Sequence, residues 1–148
     1  MGHYLKATAD KGIMLCPNDH SFDCFADADF AGNWVKEGAE WDADTARLRT
    51  GFVIMYAGCP IVWASKLQSE IALSTTEAEY IALSQVLHEV IPLMDLCKEL
   101  NQAGVIQAVG NPKVHCRLFE DNTGAAELAT VHKYRSRTKH INVKFHNF

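Results

Sequence analysis

Leu73-Ser74-Thr75-Thr76-Glu77-Ala78-Glu79-Tyr80-Ile81-Ala82-Leu83 sets the geometry from which the rest of this chain can be read. Ser74-Thr75-Thr76-Glu77 has the S/T-x-x-E spacing of a capping box, so a helix starts here. It is expected to run to about Asn101, with Gly104 beyond, and Pro92 is expected to kink it or split it in two. Glu77 and Glu79 point to nearly opposite faces, because successive helical residues turn by about 100°. The face of Glu79 continues through Leu83, Val86, Val90, Met94 and Cys97, an apolar stripe suited to packing on a sheet. The face of Glu77 continues through Ile81, Ser84 and His88 and is more polar. Glu77 therefore reads as the cap and Glu79 as a carboxylate turned toward the core. A carboxylate that extends a core stripe needs a hydrogen-bond partner or a metal, since burying it unpaired is costly.

The sheet for this helix comes from four short segments. Phe22-Asp23-Cys24-Phe25-Ala26-Asp27 reads as a first strand ending at Asp27. Gly51-Phe52-Val53-Ile54-Met55-Tyr56 and Ile61-Val62-Trp63-Ala64-Ser65 are rich in β-branched and aromatic residues. Ala57-Gly58-Cys59-Pro60 joins them as a hairpin turn. Val114-His115-Cys116-Arg117-Leu118-Phe119 is a fourth strand. Residues 3–11 read as a helix end closed by Gly12, residues 31–50 as a polar loop pinned by Trp34 and Trp41, and residues 122–130 and 134–146 as further helices. The order β-β-β-α-β-α-α argues an α/β protein with a mixed sheet flanked by helices.

Three acids fall at places where such folds build sites: Asp27 at the end of the first strand, Glu79 near the helix start, and Asp121 after the fourth strand. Converging carboxylates repel one another and call for cations. All-oxygen ligation with room for water and phosphate suits Mg²⁺. Asp42-Ala43-Asp44 repeats the D-A-D pattern inside the polar loop and reads as solvated charge.

Composition narrows the function further. The 148 residues carry a net charge of −4, unevenly spread. Residues 131–148 hold Lys133, Arg135, Arg137, Lys139 and Lys144 with no acid, so an acidic body precedes a basic tail. That asymmetry suits a phosphate-contacting segment beside a carboxylate site. The five cysteines form no C-x-x-C pair and read as reduced, partly buried thiols of an intracellular protein. The histidines show no H-E-x-x-H spacing, no G-x-S-x-G elbow surrounds Ser74 or Ser84, and no phosphate-binding glycine motif occurs. No apolar run approaches the roughly 20 residues that cross a bilayer.

Taken in order, these residues resemble the ribonuclease H domain of copia-type retrotransposon polyproteins. Phe25-Ala26-Asp27-Ala28-Asp29-Phe30-Ala31-Gly32 is similar to that family's D-A-D-W-A-G opening. Arg49-Thr50-Gly51-Phe52-Val53, Trp63-Ala64-Ser65-Lys66, the Leu73–Leu83 stretch, Asp121-Asn122-Thr123-Gly124-Ala125 and Ser136-Arg137-Thr138-Lys139-His140-Ile141 follow in the family's order over most of the chain. Tyr4-Leu5-Lys6-Ala7-Thr8 resembles the segment joining the preceding reverse transcriptase, so residues 1–15 are expected to end that connection and residues 16–148 to form the ribonuclease H-like domain.

The resemblance implies a ribonuclease H fold that cuts the RNA strand of RNA–DNA hybrids with two Mg²⁺ ions, Mn²⁺ being a substitute. It implies that Asp27, Glu79 and Asp121 are catalytic metal ligands, and that Arg135, Arg137, Lys139 and His140 contact nucleic-acid phosphates. Asp29 is expected just past the strand end, in a supporting position. The partners implied are the hybrid and the reverse transcriptase domain of the same polyprotein, with no membrane. The implied location is intracellular, in a cytoplasmic virus-like particle or the nucleus. The family's fourth carboxylate follows in an Ala-Asp pair on a later helix. The sequence stops at Phe148 before that region, so the domain is expected to lack its last strand and helix. A catalytically inactive remnant that binds nucleic acid, or is only structural, is the alternative. An integrase-type nuclease of the same fold fits the motif spacing less well.

Overall fold

A computed structural model describes residues 2–29, 48–69, 71–105 and 114–130. Four strands form one mixed sheet: β1 (Phe22–Asp29), β2 (Arg49–Tyr56), β3 (Cys59–Leu67) and β4 (Cys116–Phe119), in the order β3-β2-β1-β4. The pairs β1–β2 and β2–β3 are antiparallel, and β1–β4 is parallel. Three helices accompany them: α1 (Gly2–Ala7), α2 (Thr75–Gln102) and α3 (Thr123–Thr130).

Alternation along the strands sorts the two faces. Phe22, Cys24, Phe52 and Ile54 point to one side and bury against Val86 and Val90 of α2, with Met94 and Cys97 packed at the margin. Each fully buried aliphatic side chain there contributes about 1.5–3 kcal/mol. A second cluster joins Ala28 and Leu48 to Ala72, Ala78, Ile81 and Ala82, docking the first turns of α2 against β1. On the opposite face the register aligns Phe119, Phe25, Val53 and Trp63 in one row across all four strands. Phe25 and Phe119 stack there with ring centroids 4.7 Å apart.

The stripe expected from Glu79 to Cys97 is the face that packs on the sheet. Three other expectations need correction. Glu77, Ile81 and Ser84 are also buried, because the first turns of α2 sit between sheet, Ala72 and α3 rather than on a flat surface. Pro92 does not split α2, which runs unbroken to Gln102. Its ring and His88, whose carbonyl loses its donor, lie on the exposed side where water can serve that carbonyl. Finally, α1 stops at Ala7, well short of Gly12, and Thr8 closes it by donating its hydroxyl to the Tyr4 carbonyl at 2.8 Å.

The β2–β3 hairpin turns on Ala57 and Gly58, both at positive φ (51° and 74°), as a two-residue turn matched to strand twist requires. β2 begins at Arg49, so the last two residues of the expected polar loop are strand. Leu48, also assigned to that loop, is buried in the core, while residues 31–47, with Trp34, Trp41, Asp42 and Asp44, and the expected helix over 134–146 lie outside the described residues. Among those described, no helix is long and apolar enough to cross a membrane. The five cysteines are free; Cys24 and Cys116 stand 3.4 Å apart, sulfur to sulfur, across β1 and β4.

Candidate metal centre

β1 outruns its parallel neighbour. The β1–β4 pairing ends at Phe25↔Phe119, whereas β1 continues to Asp29 against β2. Asp27 therefore does not end its strand as expected; it lies inside β1, beyond the last residue of β4. Asp29 is likewise within the strand and exposed, not past its end. The gap left beside β1 is the crevice at the carboxyl ends of parallel strands where α/β folds place ligands.

The N-terminus of α2 fills one side of that gap, and several contacts fix it there. Ser74 Oγ accepts the Glu77 N–H at 3.1 Å, as the capping box requires. The Glu77 carboxylate reaches back to the Leu73 N–H at 2.8 Å, one residue beyond the usual capping-box partner. Gln68, fully buried, donates through Nε2 to Thr50 Oγ1 of β2 at 2.9 Å and to the Ala78 carbonyl of α2 at 3.0 Å. It ties sheet to helix one residue before Glu79.

The other side is closed by the turn from β4 into α3. Asn122 Oδ1 accepts the N–H groups of Gly124 and Ala125 at 2.9 and 3.1 Å, capping α3. A Cβ on Gly124 would stand 3.3 Å from Thr76 Oγ1, so this glycine allows the close approach of α3 to α2. Asp121, just before the cap, is thereby held at the mouth of the crevice.

Asp27, Glu79 and Asp121 each bring one carboxylate oxygen within 4.8 Å of the others, the cluster expected from the sequence. Asp27 and Asp121 are exposed, and Glu79 is buried at 7% exposure. One Glu79 oxygen, Oε2, is sealed from water and has no hydrogen-bond partner among the described residues. Burial, then the charges of Glu120 and Asp27, push the Glu79 carboxyl up to about 7, against a hydrogen bond from the Ala28 backbone. The donor set fits a hard divalent cation: all ligands are oxygens. The orphaned buried oxygen is what a cation would satisfy.

Three features escaped the sequence reading. Glu120 belongs to the same acidic neighbourhood; burial raises its carboxyl above the usual range, as do the charges of Asp121 and Asp27. Its signal was the alternation Cys116, Leu118, Glu120, which continues the inward-facing register one step past the strand. Gln68 left no signal, because its burial is a tertiary effect. On the outer face Arg117 grips Asp23 through two hydrogen bonds of 2.7 Å, holding the Asp23 carboxyl below its usual range. Arg135, Arg137, Lys139 and His140 lie outside the described residues.

The fold is thus α/β and ribonuclease H-like, with a three-carboxylate cluster at the carboxyl ends of its parallel strands. The chain is homologous to a segment of retrovirus-related Pol polyproteins from plant transposons. It is 36% identical over 143 residues to the "Retrovirus-related Pol polyprotein from transposon TNT 1-94" of Nicotiana tabacum. Over 144 residues it is 34% and 32% identical to the corresponding polyproteins from transposons RE2 and RE1 of Arabidopsis thaliana. Each alignment takes in 97% of this chain and 9% of the relative, so the chain spans about a tenth of the length of these polyproteins. No family model and no solved structure matches it.

Proposed function

We propose that this chain is the ribonuclease H region of a copia-type polyprotein and hydrolyses the RNA strand of RNA–DNA hybrids. The observation that carries the reading is the convergence of Asp27, Glu79 and Asp121 within 4.8 Å at the open end of a ribonuclease H-like sheet. Homology to Pol polyproteins supplies the biological setting, a reverse-transcribing element that generates such hybrids.

Glu79 would help hold a pair of Mg²⁺ ions, its carboxylate hydrogen-bonded by the Ala28 backbone and its helix turn tied to the sheet by Gln68 through the Ala78 carbonyl. Asp27 and Asp121, both exposed, would hold them from the solvent side, where a phosphate can approach. When bound, the ions would activate a water and stabilise the leaving oxygen. The hybrid would be selected by helix shape and RNA 2′-hydroxyls, with little base readout. Arg135, Arg137, Lys139 and His140 would grip its backbone. Residues 1–15 would join the domain to the reverse transcriptase of the same polyprotein, inside a cytoplasmic particle or the nucleus.

The test is strand choice. With either strand of a hybrid end-labelled, only RNA-strand products are expected in Mg²⁺, and none from duplex DNA. Cleavage of duplex DNA would point instead to an integrase-type nuclease. Binding of hybrid without any cutting would favour the inactive-remnant reading.

A further inference from the structure

Two nucleophilic side chains outside the acidic cluster meet across the parallel β1–β4 pair. In that register Cys116 stands opposite Phe22 and Cys24 opposite Leu118, so the two cysteines are diagonal neighbours. Strand alternation turns both toward α2, where Cys116 packs on the core cluster that contains Cys24. Their sulfurs lie 3.4 Å apart, in hydrogen-bond contact. A disulfide needs about 2.05 Å, so a small approach of the two side chains completes the bond. The thiols differ in access and acidity. Cys24 is fully buried, whereas Cys116 is partly exposed. The hydrogen bond from the Cys24 thiol holds Cys116 below the ordinary thiol range, against burial and the Asp23 charge. The same contact, with burial, pushes Cys24 up. The thiolate is the attacking species in thiol–disulfide exchange. Cys116 is therefore the thiol that attacks, and Cys24 stands behind it.

We propose that Cys24 and Cys116 are a dithiol oxidation site for low-molecular-weight disulfides, closing to a bond that staples β1 to β4. The Cys116 thiolate attacks one sulfur of the small disulfide and expels the other half as a thiolate, which takes up a proton. That step removes the interaction with Cys116 that raises Cys24. Cys24 then loses its proton to solvent and attacks Cys116 Sγ, and the second half leaves as a thiolate that is protonated in turn. Two protein thiols are oxidised and one small disulfide is reduced to two thiols. The staple joins the strand that carries Asp27 to the strand that leads to Asp121.

The experiment is incubation of the folded 148-residue chain with oxidised glutathione, then acid quenching, alkylation of the remaining thiols and peptide mapping by mass spectrometry. The same treatment is given to the chain unfolded in urea, and to Cys24→Ala and Cys116→Ala. In the folded parent the expected product is a Cys24–Cys116 linked peptide with the loss of two hydrogens. In urea the links are expected to scatter over other cysteine pairs. Cys24→Ala is expected to stop at a glutathione mixed disulfide on Cys116, and Cys116→Ala to leave Cys24 unmodified. Should either variant fail to fold, the parent arms decide alone. Glutathione retained on Cys116 of the folded parent, or both thiols recovered alkylated, would overturn the proposal. So would a Cys24–Cys116 link formed in equal yield in urea, because the fold would then not be what pairs them.

Discussion

Glu79 is the buried member of the three-acid cluster. A carboxyl pushed up to about 7 keeps its proton in the folded chain after the unfolded chain has lost it. Between the ordinary glutamate range and about 7 the folded state therefore binds more protons, and the metal-free fold loses stability as pH rises through that window. Thermal melts without metal should show this fall, and Glu79→Gln should flatten it and melt higher than the parent at pH 8. An unchanged slope in the variant would show that Glu79 is not the group responsible. The sequence made this residue legible because its helical face is otherwise apolar, so a charge there had to be functional or paired. Glu120 was not legible in the same way. Its strand had ended by the residue before, and attention falls on its neighbour Asp121, which has the family match.

The elements matter because they aim these side chains. The start of α2 is held by Gln68, whose loss would leave Thr50 and the Ala78 carbonyl without their donor in a dry interior. Gln68→Ala should cost about 2–4 kcal/mol in urea denaturation, from a small cavity and unsatisfied groups. It should also weaken Mg²⁺ binding, because Glu79 follows Ala78; a stable variant with parent-like affinity would argue against the tie. The hairpin gives a second check. Gly58 sits at φ 74°, and a Cβ there would run into the Asn18 side chain. Gly58→Ala should cost at least ~1–2 kcal/mol by the same measurement. Periodicity made the strands, the α2 stripe and the capping box readable. It could not show that β1 overruns β4, since strand pairing depends on partners far away in sequence. Nor could it show that Pro92 would be tolerated, which depends on which side of α2 faces water.

For the molecule as a whole, the parallel β1–β4 pair opens the only crevice the account needs, and the charge distribution complements it. An acidic body cannot by itself hold a nucleic acid, so the basic residues 131–148 should carry the phosphate contacts. Neutralising Arg135, Arg137 and Lys139 together should reduce the salt dependence of hybrid binding, lowering the log–log slope by about 2–3. An unchanged slope would place the phosphate contacts elsewhere. Fold class and the three motif carboxylates were readable because they follow from element order and local pattern. The depth of the site was not, because it arises where α2, β1 and the β4–α3 turn meet.

The most direct measurement is Mg²⁺-dependent cleavage of a labelled RNA–DNA hybrid by this chain beside its Asp27→Asn variant, both shown to be folded. RNA-strand cutting by the parent and a loss of about 10³-fold in the variant, several kcal/mol of charge stabilisation, are expected. Equal cutting by both, or none by a folded parent that binds the hybrid in Mg²⁺, would contradict this expectation.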